Sequence, residues 1–427
     1  MKLVLFTICS LVFLLSGLYD SRAQNFDNVS SIQVEDIFEE LVAIRNDLHD
    51  NPELAGSEKR TSIIVKEYLQ NLGLVVKTGF GGYGVVGILK GKIQNGKKVA
   101  WRADMDAALH TFNNKPNANP QAAHICGHDV HTTIGLGIAN MLSKIKDSIG
   151  TVYFIFQPAE ESFKGAKNMI ENGLFKEIQP DEIFGLHVFP TEVGTVSSKP
   201  GELFAYQRRI KLIFDKSIDE KGFKSFFENT IQEFVRHKSK SAPWSLKYLT
   251  HPDYGLENPN TIYKNFFIIG SNIAIDKGNK KTSFECTYYE TDSTRLETIT
   301  KEITHQVENS KYGKYLLETS FTAERPTVVN DPKLTYESLA ALKDMYGDER
   351  VTTFYGQVPY SNEDFIYYQY EVPGVMFLLG ASNKNKGIVA LPHTSEFMVD
   401  EEVIKHGVNY FSFFLKDRTN HTKVKGN

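Results

Sequence analysis

Cysteine is scarce in this chain, with three residues in 427, at positions 9, 126 and 286. Three thiols cannot staple a chain of this size into a disulfide framework, so its stability must come from apolar burial, which a 41% hydrophobic content can supply. Beyond the first two dozen residues no apolar run approaches the roughly 20 residues that span a bilayer, which excludes a membrane span in the body of the chain. Clusters of Lys and Arg on a helical pattern are also missing, and the formal charge is only −4, so neither nucleic acid nor an anionic membrane is expected as a partner. Internal repeats and low-complexity tracts are absent too. What remains is the composition of an ordinary globular protein, with a length that suggests two domains.

The first residues, "MKLVLFTICSLVFLLSGLYDSRAQ", have one lysine, an apolar core too short to span a bilayer, and Ser21-Arg22-Ala23 as a small-residue cleavage site. This is the pattern of a secretory signal peptide over residues 1–23, and the expectation is a soluble exported protein, periplasmic or secreted after cleavage near Ala23. Cleavage removes Lys2, Arg22, Asp20 and Cys9, leaving 46 basic against 51 acidic residues, a charge of −5. Cys126 and Cys286 remain. An exported protein could pair them, but Cys286 also reads as a buried inert thiol, and Cys126, with His124 and His128 two residues to either side, reads as a metal ligand.

Helical spacing runs through "VEDIFEELVAIRNDLHDNPELAG" and "SEKRTSIIVKEYLQNLG", with Ser57 as the expected N-cap and Gly73 as the stop. Near-continuous aliphatic runs follow at "GVVGILKG", "KKVAWRADMD", "TVYFIF", "EIFGLHVF" and "GVMFLLGAS", alternating with helical patterns. That alternation indicates an α/β catalytic domain with a buried mixed sheet flanked by helices. The middle of the chain differs. "FAYQRRIKLIF", "NTIYKNFFIIG", "KTSFECTYYE" and "YLLETSFTAE" read as strands, and "EKGFKSFFENTIQEFVRH" and "DSTRLETITKEITHQVE" as helices. Their order is β-α-β-β-α-β, that of a ferredoxin-like α+β domain. The expected organisation is a catalytic domain over residues 24–200 and 323–427, interrupted by a lid over 201–322.

Chemistry-bearing side chains gather where strands end. "KKVAWRADMD" finishes on Asp104 and Asp106, "TVYFIFQPAEE" on Glu160 and Glu161, and "EIFGLHV" carries His187. Ligands of open α/β sheets bind beyond the carboxyl ends of the strands, where loops from several strands converge. Singly, each residue has an ordinary explanation: a turn aspartate, a pair of glutamates at a helix N-terminus, a satisfied core histidine. Together with Cys126-Gly127-His128 they indicate a metal site. On a helix the side chains of Cys-x-His diverge by more than a right angle, so Gly127 must allow a bend that turns both inward. Thiolate, imidazole and carboxylate together suit a borderline divalent ion such as zinc, with manganese or cobalt also fitting. Of Glu160 and Glu161, one is needed on the metal and the other free to move a proton. Asp106 fits the part of a carboxylate that orients a histidine ligand.

These residues resemble those of the zinc-dependent aminoacylase and carboxypeptidase family, in the branch of hippurate hydrolase and plant auxin-conjugate amidohydrolases. The resemblance rests on "LHDNPELAGSE", "WRADMDA", "HICGHDVH", "FQPAEESFKGAKNMIENGLF", "FGLHVFP", "SNEDF", "VPGVMFLLGAS" and "LPHTSEF", in family order across nearly all of the mature chain outside the middle domain. It implies a dinuclear metal-dependent hydrolase of amide bonds acting on an N-acyl amino acid or small peptide. By the same resemblance Cys126, His128, Glu161, His187 and His393 are the metal ligands, two divalent ions per subunit, with Glu160 as general base, Asp106 as its support, and Asp129 and His131 outside the ligand set. The lid is the element through which the family usually dimerises, which leaves a homodimer open. The lid is also where the sequence departs from the pattern. "KLIFDKSIDEKGFKS" lacks the histidine that stabilises the oxyanion, "CTYYETD" lacks the arginine that grips a substrate carboxylate, and Asp106 is followed by Ala107, Ala108, Leu109 and His110 instead of the usual Leu-Pro continuation. His237, His251 and His305 are the only lid histidines offered as substitutes, with solvent-exposed histidine the plainer reading. An alternative follows: a catalytically impaired relative that binds a ligand or partner.

Overall fold

The computed structural model describes residues 34–110, 121–236, 245–270 and 273–422, so residues 1–23, where a signal peptide is expected, and His237 lie outside the described residues. Of those described, the residues up to Val196, Glu337–Val351 and those from Phe377 onward form one compact unit, and Ser197–Tyr336 with Thr352–Met376 form a second. The sequence puts the insertion at 201–322. The second unit instead begins at Ser197 and takes in residues 352–376, because Val358 N–H donates to Leu203 O at 2.9 Å and Gln357 N–H to Tyr263 O at 3.0 Å.

The first unit is built on a mixed sheet in which the strands Val75–Phe80, Gly84–Lys90, Thr151–Gln157, Val99–Asp104 and Glu182–Glu192 lie side by side in that order. Val99–Asp104 runs parallel to both of its neighbours, and every one of its residues is buried, as expected of a strand covered on both faces. Helices 34–50, Lys59–Asn71, His128–Lys144 and Glu402–Asn420 belong to this unit. Gly73, at φ 80°, lies beyond the end of the second of these helices, as the sequence suggests.

The start of that helix differs from expectation. It begins at Lys59, and Ser57 does not cap it. Glu53, on the preceding loop, does so instead, its two carboxylate oxygens accepting from Arg60 N–H at 3.0 Å and Thr61 N–H at 2.8 Å. A carboxylate there also meets the positive end of the helix dipole.

A charged network lies inside this unit. The buried Arg418 donates Nη2 to Glu182 Oε1 at 2.5 Å and Nε to Oε2 at 2.9 Å, and Lys97 meets the same carboxylate. Arg418→Met should destabilise the protein by about 3 kcal/mol, because it strips a buried carboxylate of its main partner. Urea unfolding measures this, and a loss below about 1 kcal/mol would mean that Lys97 alone satisfies Glu182.

The second unit has strands Tyr206–Asp215, Phe267–Ile269, Lys281–Glu290 and Leu316–Arg325, with helix Glu220–Gln232 after the first and Leu296–Glu308 before the last. Spatially the strands run Phe267–Ile269, Lys281–Glu290, Tyr206–Asp215 and Leu316–Arg325, with Ala274–Lys277 also paired to Lys281–Glu290. "NTIYKNFFIIG" is strand only at its end: Ile262–Lys264 is a 3₁₀ turn, with the Thr261 hydroxyl accepting from Tyr263 N–H. Alternation explains the core. Ile210, Leu212 and Phe214 share one sheet face and pack with Phe223, Phe227 and Ile231 of the first helix and Ile299, Ile303 and Val307 of the second. Cys286 is buried in the same core as a free thiol, and burial pushes its pKa up to about 12. No helix among the described residues is long and apolar enough to cross a membrane.

Candidate metal centre

The central strands set the site's floor. The parallel register pairs Asp104 with Gln157 and Arg102 with Gly185, and carried two residues further it sets His187 level with Asp104. Gln157 and His187 thus flank Asp104 on either side. Arg102, fully buried in the same strand, donates Nη1 to Asp104 Oδ2 at 2.7 Å and Nε to Gln157 Oε1 at 2.9 Å. Burial works to raise the Asp104 carboxyl, but Arg102, His128 and His131 overcome it and hold it well below the usual carboxylate range. Asp104 is therefore a fixed anion beneath the cluster.

Gly127 makes the bend that the spacing requires. It sits at φ 90° as the N-cap of His128–Lys144, so Cys126 belongs to the incoming loop and His128 to the first turn. His128 Nδ1 lies 2.8 Å from Asp106 O and 3.2 Å from Asp106 Oδ1, an arrangement in which the ring donates through Nδ1 and turns Nε2 inward. That buried Nε2 makes no hydrogen bond, with Asp104 Oδ2 at 3.6 Å and Glu160 Oε2 at 4.0 Å. Burial lowers the His128 pKa, yet Asp104 and Cys126 raise it well above that of an ordinary imidazole. The second oxygen of Asp106 accepts from Glu161 N–H at 2.9 Å, which ties the glutamate turn to the same carboxylate.

His187 donates Nδ1 to Val188 O at 2.7 Å and presents Nε2 to Cys126 Sγ at 3.2 Å. His131 is engaged at both nitrogens, with Nδ1 on Asp104 Oδ1 at 2.7 Å and Nε2 accepting from Val188 N–H at 2.9 Å. Burial pushes both rings down to about 4, so each is neutral at neutral pH. Burial also raises the Cys126 thiol well above its usual range, a preference that a nearby cation would oppose. His393 comes from a late loop at φ 60°, with its N–H on Ile125 O at 2.8 Å and Nε2 3.5 Å from Glu161 Oε1.

Potential ligand atoms therefore fall into overlapping sets: Cys126 with His128 and His187, Cys126 with Glu161 and His393, and His128 with Glu160 and Glu161, each within 4.8 Å of one another. A buried imidazole nitrogen without a hydrogen bond, beside thiol and carboxylates, is the donor set expected of a borderline divalent cation. His251 and His305 lie in the second unit and in none of these sets. His251 stacks on Tyr254 at 3.7 Å between centroids, and His305 is exposed in the last turn of its helix.

Several supporting residues escape a reading of the sequence. Arg102 leaves a trace, as a charge inside an apolar strand. Glu58 leaves none. Fully buried, it accepts from Gly56 N–H at 2.7 Å and Ala159 N–H at 2.8 Å, and so fixes the turn before Glu160, where Ala159 sits at φ 58°. Asp129, also buried, holds His49 Nδ1 at 2.7 Å and Arg45 Nε at 3.0 Å, tying helix 34–50 to the start of His128–Lys144.

Comparison with known proteins places this arrangement. Putative amidohydrolase YhaA of Bacillus subtilis is 30% identical over 389 residues, covering 87% of this chain and 93% of that protein. IAA-amino acid hydrolase ILR1-like 4 of Arabidopsis thaliana is 31% identical, covering 88% and 84%. Among solved structures, a putative aminohydrolase from methicillin-resistant Staphylococcus aureus matches with a TM-score of 0.70 and 26% identity, over 91% of this chain and 99% of that one. The Bacillus subtilis YXEP protein, a dinuclear metal binding peptidase, shares the fold with a TM-score of 0.67 and 23% identity, over 90% and 99%. Residues 100–417, from the strand that bears Asp104 to the last helix, match the sequence pattern of peptidase family M20/M25/M40. The chain belongs to that family and is a hydrolase of amide or peptide C–N bonds.

Proposed function

We propose that this protein is an exported amidohydrolase that cleaves the amide bond of an N-acyl amino acid or small peptide at a two-metal centre. Cys126, His128, Glu161, His187 and His393 would hold two divalent ions, with zinc or manganese suited to the donors and cobalt also compatible. Bound there, such ions would supply Lewis acidity to a scissile carbonyl and would lower the pKa of an attacking water. The chain's own residues do the rest. Asp106 holds the His128 ring through Nδ1 and the Glu161 backbone through its second oxygen. Arg102 and His131 fix Asp104. Glu160 takes the proton from the attacking water and returns it to the departing amine.

The observation that carries this reading is the division between adjacent glutamates. Glu161 Oε1 faces His393 at 3.5 Å while Glu160 Oε2 faces His128 Nε2 at 4.0 Å, different neighbours that support giving one carboxylate to the metal and the other to proton transfer. A second reading, a binding protein that has lost turnover, is favoured by one feature: "KLIFDKSIDEKGFKS" and "CTYYETD" carry neither the histidine nor the arginine that the family resemblance implies for the lid. Losing an oxyanion donor costs ~10²–10³ in rate, which slows an enzyme without abolishing it. The test is purified protein, stripped and reloaded with Zn or Mn, assayed for amine release from a panel of N-acyl amino acids and dipeptides. Metal-dependent release is the expected result. A fully loaded sample that releases nothing would establish the binding protein.

A further inference from the structure

Glu58 belongs to none of the potential ligand sets, yet it is a fully buried carboxyl group, and such a group is costly unless it is hydrogen-bonded. It immediately precedes the helix Lys59–Asn71, and Ser62 N–H donates to its carbonyl at 2.9 Å. The loop leading to it is held as firmly: Glu53 O accepts from Ala107 N–H at 2.8 Å, Leu54 bridges Ala107, and Ser57 N–H donates to Leu54 O at 2.8 Å. The side chain works through one oxygen. Oε1 accepts from Gly56 N–H at 2.7 Å and from Ala159 N–H, 101 residues further along the chain, at 2.8 Å, while the buried Oε2 makes no hydrogen bond.

The turn at the other end of that bond is strained. Ala159 and Phe163, neither of them glycine, both sit at φ 58°, a backbone that persists only where surrounding contacts hold it. Glu160 and Glu161 lie between them. Bonds internal to the turn, from Gly165 N–H to Ala159 O at 3.1 Å and from Ser162 Oγ to the same oxygen at 3.0 Å, travel with it and do not fix it to the sheet. Two bonds from outside do. Glu161 N–H donates to Asp106 Oδ2 at 2.9 Å, and the residue before Glu160 donates to Glu58, so the two glutamates hang from separate pins.

We infer that Glu58 is the positioning residue of Glu160, setting where the proton acceptor stands, while Asp106 independently sets the ligand Glu161. The inference rests on the reading of Glu160 as general base. Without its pin, Ala159 relaxes towards an ordinary backbone and carries the Glu160 carboxylate off its line, and a displacement of about 1 Å costs ~10²-fold in rate. Glu161 keeps its own tether, so the metal stays.

Glu58→Met in the full-length, metal-loaded protein tests it, since methionine keeps the length of the side chain and removes the accepting oxygen. The expected result is a kcat lowered roughly ten- to a hundredfold, with KM and metal content unchanged. Glu58→Gln, whose amide oxygen can take both N–H groups, retains most of kcat. In a Glu160→Gln background Glu58→Met costs less than about twofold more, because a base that is gone cannot be misplaced. Equal losses in both backgrounds, metal lost along with kcat, a Glu58→Gln as slow as Glu58→Met, or a wild-type kcat in Glu58→Met would each overturn the inference. So would a Glu58→Met that circular dichroism shows unfolded, which would make Glu58 a support of the fold alone. Amide hydrogen exchange over residues 158–163 needs no turnover: it should quicken about tenfold or more in Glu58→Met and stay as it is in Glu58→Gln, and unchanged exchange in Glu58→Met would overturn the pin even if no substrate were found. An unchanged kcat in Glu160→Gln alone would strike the underlying reading of the base instead, whatever Glu58→Met does.

Discussion

Glu160→Gln is expected to lower kcat on any accepted amide by ~10²–10⁴-fold while the purified protein keeps its full metal content. Glutamine preserves the volume of a side chain that is only 7% exposed, so packing is undisturbed and only the ability to accept a proton is lost. The turn that presents it stays in place, since Glu58 holds Ala159 N–H and Glu160 O accepts from Phe163 N–H at 2.6 Å, neither through the Glu160 carboxylate. Steady-state kinetics with metal analysis on the same samples decides the matter. Loss of metal together with activity would make Glu160 a ligand, and an unchanged kcat would remove it from proton transfer.

Gly127→Val should cost about 3 kcal/mol and deplete the protein of metal. Two effects add: a left-handed backbone costs a residue with a Cβ ~1–2 kcal/mol, and overpacking costs ~1–3 kcal/mol. The first follows from φ 90°. The second follows from a Cβ that would lie 2.5 Å from Val188 Cγ2 and 3.2 Å from Phe397 Cζ, so Val188, which orients both His187 and His131, must move. Gly73→Ala is the control, since φ is 80° there and nothing lies within 4 Å. It should lose ~1 kcal/mol and keep its metal. Denaturant unfolding and metal content, measured on both variants, separate strain from collision, and a Gly127→Val protein with full metal would show that the bend is not needed to seat His128.

How far the sequence could be read depended on how local each cause was. The Cys126–His128 bend was legible because helix geometry alone forbids that pair from converging without a special residue between them. The mixed sheet was legible because strands buried on both faces become unbroken apolar runs. Arg102 was half legible, as a charge where none belongs. Glu58, Glu53 and Asp129 were not, because what each does depends on backbone or side chains that only folding brings near: Glu58 meets Ala159, and Asp129 meets His49 and Arg45. Ser57 was expected as a cap because of its type, and Glu53 displaced it by reaching two N–H groups from an earlier loop. His393 sits in an irregular loop whose geometry no periodicity encodes, so only the resemblance carried by "LPHTSEF" pointed to it. The short hairpin Ala108–His110 with Gln121–Ala123, just before Cys126, is too brief to leave an alternation at all.

The hydrogen bond from His393 to Ile125 has a bearing on how the polypeptide matures. Cys126, His128, Glu161 and His187 all leave the ribosome more than two hundred residues ahead of His393. On the ligand set proposed above, a nascent or truncated chain would hold a pocket short of one imidazole until His393 is made, and hydrolytic competence would arrive as one of the last events of biogenesis.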